Sequence, residues 1–432
     1  MHRFLYMFGL ILAGEAVFAL PFHIARFFRP AVLDVFQLTN TELGAAQGVY
    51  GILAMLAYFP GGPLADRFPA RKLLAFSLWS TAAGGLYMAT IPGYTGALVL
   101  WGFFGVTTIL FFWAALIRAT RDWGGSDEQG RAYGLLDGGR GLLAAALASV
   151  AVAFFGLVFP EGTDAVTFEE RKAALVTVIH GYTLVTALAG VFVWFVIRDG
   201  HPPEEPDLER WRPAEEGLRH HVARVLAMPA VWLQALIVVC AYVAYKGFDN
   251  YSLYAVEVYG MSDVDAARIA AIGAWMRPLA AVGAGFLGDR YGVARMTVIC
   301  FVLLLASYLF LGFDTPVAGA AWVLLGNVLA TSAAMFGLRA LYFALFEEAK
   351  VPDALTGTAV GLVSVIGFTP DVFVGLVGGL LLDASPGLAG HRHYFLFLAA
   401  FAAIGLAASY TLFRRLHPGR PGAGLESRAG DA

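Results

Sequence analysis

The stretch Gly62-Pro63-Leu64-Ala65-Asp66-Arg67 and its counterpart Gly285-Phe286-Leu287-Gly288-Asp289-Arg290 decide how this chain is read, because the same acidic-basic ending returns 223 positions later, from 66 to 289. Working outward, Trp101, Gly105 and Arg118 return as Trp322, Gly326 and Arg339, each displaced by 221. Gly130-Arg131-Ala132-Tyr133-Gly134-Leu135 returns as Gly357-Thr358-Ala359-Val360-Gly361-Leu362, displaced by 227. Three matches in one order and at nearly one spacing make the chain two similar halves.

The sequence between the matched segments is apolar. With 59% hydrophobic and 14% charged residues over 432 positions and a mean hydropathy of +0.69, the polar surface is too small to clothe a water-soluble globule, so lipid is the solvent. The apolar blocks run roughly 18–25 residues, and at about 1.5 Å rise per residue each crosses a hydrocarbon core of about 30 Å. A β-barrel would show alternating segments of about ten residues instead. Spans are predicted near 5–30, 42–62, 73–91, 96–118, 131–157, 173–197, 228–255, 264–287, 295–313, 317–343, 355–381 and 393–414. The predicted fold is an all-α membrane protein, twelve transmembrane helices in two pseudo-symmetric six-helix bundles. Residues 1–197 form the first bundle, 198–226 a cytoplasmic linker containing Pro202-Pro203-Glu204-Glu205-Pro206, 227–415 the second bundle and 416–432 a disordered cytoplasmic tail. The first apolar run holds Glu15 and lacks a small-residue cleavage site, so it reads as a retained span and not a signal peptide.

Twelve spans put both termini on one side. That side collects Arg3, Arg67, Arg71, Lys72, Arg118, Arg121, Arg131, Arg198, Arg210, Arg212, Arg219, Arg224, Arg290, Arg295, Arg339, Lys350, Arg414, Arg415, Arg420 and Arg428, whereas the opposite loops hold chiefly Arg171, Lys172, Arg268 and Arg392. The positive-inside rule makes the termini cytoplasmic, in the cell (inner) membrane. A net charge of −3 implies no nucleic acid. Cys240 and Cys300 sit in apolar blocks as small buried hydrophobes. No metal-ligand cluster, catalytic motif or phosphate-cradling loop appears, which argues against an enzyme, a cofactor, a metal and ATP-driven pumping.

Ionisable groups inside spans are expensive and are functional candidates by default. They are Glu15, Arg26, Asp137, Arg140, Lys246, Asp249, Arg277 and Asp371, with Arg29 read as snorkelling to water. Arg26 and Lys246 are 220 apart, as are Phe28 and Phe248, and Arg29 and Asp249. The repeat axis therefore sets one cation on each side of a central cavity. Two cations with no carboxylate pair opposite them make an anion site; the alternative is structural pairing, for example Lys246 with Asp249 one turn away. Arg140 either joins that site or is neutralised by Asp137 at i−3. Arg277 falls about 18 Å along its helix from Asp289, near mid-membrane. Glu15 is its natural counter-ion, or a titrating group that couples proton entry. Asp371 follows Pro370, a position suited to a gating hinge.

The segment Gly62 to Lys72 resembles the signature loop of the major facilitator superfamily, and the second copy, ending Tyr291-Gly292-Val293-Ala294-Arg295, is similar to its weaker C-terminal version. Pro69 and Ala70 depart from the pattern. The resemblance covers essentially the whole chain and implies a secondary transporter working by alternating access between two facing bundles. It also implies that Asp66, Arg67, Arg71, Asp289 and Arg290 help hold the cytoplasmic side closed. The Arg26/Lys246 arrangement, with Glu42-Leu43-Gly44, Val49-Tyr50-Gly51 and Glu128 to Gly141, resembles the organophosphate/phosphate antiporter branch. There one basic residue of span 1 and its mate on span 7 hold the phosphate, and a span 5 histidine falls at Arg140. Lysine at 246 and arginine at 140 keep the positive site without specifying phosphate. The implied partners are a small anionic cargo (a sugar phosphate, sugar acid or other carboxylate), the lipid bilayer, and a proton or counter-transported anion, acting on a monomer. A membrane sensor of the same fold and a proton-coupled drug exporter are the rival expectations.

Overall fold

A computed structural model describes residues 2–125, 128–158, 167–197, 223–313, 316, 320–342, 344–348 and 353–417. Among the described residues the apolar blocks form twelve long helices. They are α1 (Arg3–Phe27), α2 (Asn40–Arg67), α3 (Ala70–Met88), α4 (Tyr94–Gly124), α5 (Gln129–Val158), α6 (Phe168–Val196), α7 (Pro229–Tyr259), α8 (Asp263–Tyr291), α9 (Val293–Phe313), α10 (Ala321–Leu341), α11 (Ala359–Ala384) and α12 (Leu388–Leu416). Eleven are long and apolar enough to cross a membrane, and α3, 19 residues long, runs between two of them. The linker and tail lie outside the described residues except for 223–226 and 416–417, as do Arg198, Arg210, Arg212, Arg219, Lys350, Arg420 and Arg428. Large apolar side chains such as Phe4, Leu157, Phe195, Phe286 and Trp322 are exposed on the outside of the bundle, where lipid rather than water meets them.

Three helices begin at the end of the bundle away from the termini, the far end, with side-chain caps. Thr39 and Glu42 form a capping box on α2, Thr167 and Glu170 one on α6, and Ser262 accepts from the Asp265 amide on α8. The signature segment is not a loop. α2 continues through Pro60 and Pro63 to Arg67 and α3 starts at Ala70, leaving Phe68 and Pro69 as the turn. A proline lacks one amide donor but its fixed φ suits a helix, so the chain turns only where Phe68 becomes extended (φ −116°, ψ 145°) ahead of Pro69. A helix of 28 residues reaches about 42 Å, beyond the hydrocarbon core, so the charged ending of α2 clears the membrane without leaving the helix.

Among the described residues four helices are irregular, with five departures from regular geometry between them. α1 widens into a π turn at Ala19–His23 and breaks at Phe28, and α7 tightens into a 3-10 turn at Phe248–Asn250. Phe28 and Phe248 are the residues that the 220-residue repeat equates. α4 has a π turn at Ile109–Trp113, and α11 is interrupted between Gly367 and Pro370.

The halves meet through α2 against α11 and α5 against α8. A Cβ on Gly44 would collide with the Gly375 carbonyl oxygen; one on Gly48 would sit 2.8 Å from the Val372 carbonyl oxygen, and one on Gly51 2.7 Å from the Asp371 carbonyl carbon. Glycines at this spacing let two backbones touch, which is how helices gain packing energy in lipid. Polar locks close the same end. Asp383 accepts from the Thr41 amide (2.7 Å), the Thr41 hydroxyl (2.6 Å) and the Asn40 amide (3.2 Å), capping α2 from the other half. Arg171 bridges Asp34 at 2.8 Å and Asp263 at 2.9 Å. At the end that carries the termini, Asp66, Arg67, Asp289 and Arg290 are exposed and, among the described residues, make no ion pair across the halves. The two halves are sealed together at the far end. Asp383→Ala removes a cap and a favourable charge at a helix N-terminus, about 1–2 kcal/mol. It is expected to raise labelling of far-end cysteines several-fold while leaving α2 folded.

Candidate functional site: a charged cavity between the halves

The space enclosed below the seal is a cavity of about 920 Å³, open solvent included, with walls from both halves. Three of the irregular segments supply it. The π turn of α1 presents Phe22 and His23, that of α4 presents Ile109 and Trp113, and the break in α11 presents Phe368 and Asp371. A π turn or helix break re-aims side chains that a regular helix would direct elsewhere, a recurring device at functional sites. Arg26 and Arg140 reach the cavity from the first half, Arg277 and Arg339 from the second.

Two clusters organise these charges. In the first, Arg26 Nε donates to Asp249 Oδ1 at 2.5 Å, and Lys246 Nζ lies 3.2 Å from the other oxygen of Asp249. Lys246 is also 3.5 Å from Asp371 Oδ1, whose second oxygen accepts from the Tyr242 hydroxyl at 2.9 Å. Of the two readings left open for this pair, the absence of an opposing carboxylate does not hold and the pairing of Lys246 with Asp249 does: Asp249 bridges Arg26 and Lys246. The reason is helical geometry, since Asp249 at i+3 from Lys246 shares its face. Lys246 lines a second, smaller pocket with Arg29 and Asp249 instead of the main cavity. Arg29 does not snorkel; the break at Phe28 turns it inward, where it is buried and donates to Asn40 Oδ1 at 3.1 Å.

In the second cluster Glu15, 3% exposed, lies 3.1 Å from His23 Nε2, 3.5 Å from Arg140 and 3.6 Å from Arg277. Glu15 and Arg277 do meet across the halves, as their depth in the sequence suggests. Asp137, however, pairs with Arg277 at 3.2 Å and not with Arg140. Arg140 donates to the Gly14 carbonyl at 2.9 Å instead. Missing side chains make room for both arginines: a Cβ on Gly14 would press on Arg140 Cδ at 2.9 Å and one on Gly141 on Arg277 Cγ at 3.1 Å.

Sequence reasoning missed Arg339, His23, Tyr242 and Tyr245. Arg339 rests 4.2 Å above the Tyr245 ring, and Arg26 lies 4.8 Å from the same ring. The signal was available for Arg339, the repeat mate of Arg118. The mates diverge because Arg118 donates to the Ala65 carbonyl within its own half, while Arg339 turns into the cavity. The signature residues Asp66, Arg67, Arg71, Asp289 and Arg290 stand away from these clusters; Arg71 lies 5.0 Å over the Trp194 ring.

A two-half helical bundle sealed at one end, with a charged cavity at the joint, defines an alternating-access carrier. The family model described as "Major Facilitator Superfamily" matches residues 6–370, and the chain belongs to that family of secondary transporters, a family of carriers and not of enzymes. It is 28% identical to inner membrane protein YihN of Escherichia coli (strain K12) over 416 residues, covering 94% of each chain. It is 26% identical to the probable nitrate/nitrite antiporter NarK1 of Thermus thermophilus over 283 residues, 63% of this chain and 58% of that one. Among solved structures, a bacterial homologue of the human lysosomal transporter Spinster superposes with a TM-score of 0.72 at 15% identity, covering 98% of this chain and 99% of that one. These matches show the superfamily and the fold; they do not single out the organophosphate/phosphate branch.

Proposed function

We propose that this multi-pass membrane transporter carries a small organic anion, such as a sugar phosphate, sugar acid or other carboxylate, in a cell (inner) membrane with both termini cytoplasmic. The observation that carries the proposal is the convergence of Arg26 and Arg140 from one half and Arg277 from the other on a single cavity, with Lys246 behind Asp249. Guanidinium groups presented from two sides match the oxygens of a carboxylate or phosphate. An anion that touches both halves binds the occluded state better than either open state, which is what drives closure. Two relatives, an inner membrane protein and a probable nitrate/nitrite antiporter, agree with the membrane and with an anionic cargo.

In this proposal Glu15, Asp137, Asp249 and Asp371 hold the cations when no cargo is present, and the same four are the candidates for coupling to a proton or exchanged anion. Asp66, Arg67, Arg71, Asp289 and Arg290 close the terminal, cytoplasmic end in the state opposite to the one described. Asp66→Asn is therefore expected to slow transport several-fold and raise labelling of cytoplasmic-side cysteines at unchanged protein abundance; unchanged labelling with unchanged transport removes the gate assignment. The function is tested by uptake into proteoliposomes of labelled D-gluconate and glycerol 3-phosphate beside a cationic dye. Accumulation of an anion supports the proposal, and dye transport with neither anion accepted overturns it.

A further inference from the structure

The charges gathered around the cavity do not balance. Five cations (Arg26, Arg140, Lys246, Arg277 and Arg339) meet four carboxylates (Glu15, Asp137, Asp249 and Asp371). Arg26, Lys246, Arg140 and Arg277 each have a carboxylate within 4 Å. Arg339, among the described residues, has no ion-pair partner, and its Nη1 is shielded from solvent without a hydrogen bond. Arg29 and Asp383 are both left out of the count, because Asn40 links the one to the other by hydrogen bonds.

We infer that the cavity is built for an anion of single negative charge, and that Arg339 is its anchor. This rests on the anion proposal and narrows it. Arg26 Nη2 is the other buried guanidinium nitrogen of the cavity with no hydrogen bond, and both arginines lie against the Tyr245 ring. A carboxylate or sulfonate at the edge of that ring accepts from Arg339 of α10 and Arg26 of α1 together, joining the two halves through one headgroup. Tyr242, Tyr245 and Phe368 pack edge and face beside the position, with centroids 5.5 Å and 5.1 Å from Tyr242, and offer an apolar wall to the carbon skeleton. One negative charge brings the occluded site to neutrality. A second leaves an unpaired charge in a water-poor space, so a dianion has to bring a proton with it.

The test is ligand-induced thermal stabilisation of the purified full chain at pH 8 with matched probes: D-gluconate against D-glucarate, and nitrate against sulfate. The wild type is expected to bind the single-charge member of each pair about tenfold more tightly or better. Arg339→Gln is expected to weaken gluconate about 10- to 100-fold, the range for a hydrogen bond to a charged group. Arg118→Gln, altering its repeat mate outside the cavity, should leave binding unchanged. Asp371→Asn raises the excess to two charges and should reverse the preference toward glucarate and sulfate, a shift that a merely structural Arg339 does not explain. Dianions bound as well as monoanions by the wild type, or gluconate binding untouched in Arg339→Gln, overturns the inference. No stabilisation by any of the four anions instead removes the anion proposal, and this inference with it.

Discussion

Arg26→Ala is expected to abolish anion uptake and at the same time to loosen the joint between the halves. Its Nε is bonded to Asp249 at 2.5 Å, both residues are buried, and the Ser252 hydroxyl donates to the Arg26 backbone carbonyl at 2.9 Å. Truncating one member of a buried pair destabilises by about 3–5 kcal/mol when the remaining charge is uncompensated. Lys246 at 3.2 Å from Asp249 absorbs part of that loss. The single variant therefore mixes two effects. Arg26→Ala with Asp249→Asn separates them, because the orphaned carboxylate is gone while the donor to the cargo is still missing. The thermal midpoint in detergent should recover most of the way in the double variant, and uptake should stay at background. Wild-type uptake in that double variant would make Arg26 a strut and not a ligand.

The second large effect is expected at Gly44. A side chain there meets the Gly375 backbone of α11 head-on, and the neighbouring contacts of Gly48 and Gly51 leave no slack along the ridge. Neither partner at Gly375 is a flexible side chain, so Gly44→Leu has to part α2 from α11 at the far end. Close backbone packing, the Asp383 cap and the Arg171 bridge all lie at that end, so the seal fails together and the population moves to the far-open state. A tenfold shift corresponds to about 1.4 kcal/mol, less than typical overpacking strain of about 1–3 kcal/mol at its upper end. Cysteines placed along the far-end face of α11 should become reactive to an impermeant maleimide, and transport should fall to a small residue. Unchanged reactivity in Gly44→Leu would mean that the seal is not at this ridge.

Much of the fold was legible because it follows from one strong physical constraint: apolar segments in lipid must be helices, and a duplicated chain must make two bundles. The 220-residue offset pairs Phe28 with Phe248, and the irregular turns that the structure shows at both were not anticipated from the sequence. What the repeat did not transmit was environment. Trp101 is fully buried while its mate Trp322 is exposed, and a Cβ on Gly105 would crowd the Tyr50 carbonyl oxygen at 2.6 Å while Gly326 faces open space. The same divergence hid Arg339, which lies over the Tyr245 ring of α7 while Arg118 donates to the Ala65 carbonyl. Arg29 was misread because hydropathy does not reveal a helix break that turns a span-end arginine inward. Of the two readings left open for Arg140, neutralisation by Asp137 is the one that failed, because i−3 proximity within α5 lost to Arg277 arriving from α8. Both failures concern contacts between elements distant in sequence, which local spacing does not encode.

The most direct test of the central claim, that one anion is held by cations of both halves and draws them together, is a distance measured between them. Spin labels on Lys72→Cys and Arg295→Cys, exposed repeat mates at the terminal ends of α3 and α9, report opening and closure, and the native Cys240 and Cys300 are buried. Pulsed dipolar spectroscopy on the protein in nanodiscs should show the long distance shortening when D-gluconate is added. Arg26→Gln, which disarms the first half, and Arg339→Gln, which disarms the second, should each abolish the shortening. Closure by gluconate that persists in both variants, or closure driven by a cationic dye instead, would contradict the account.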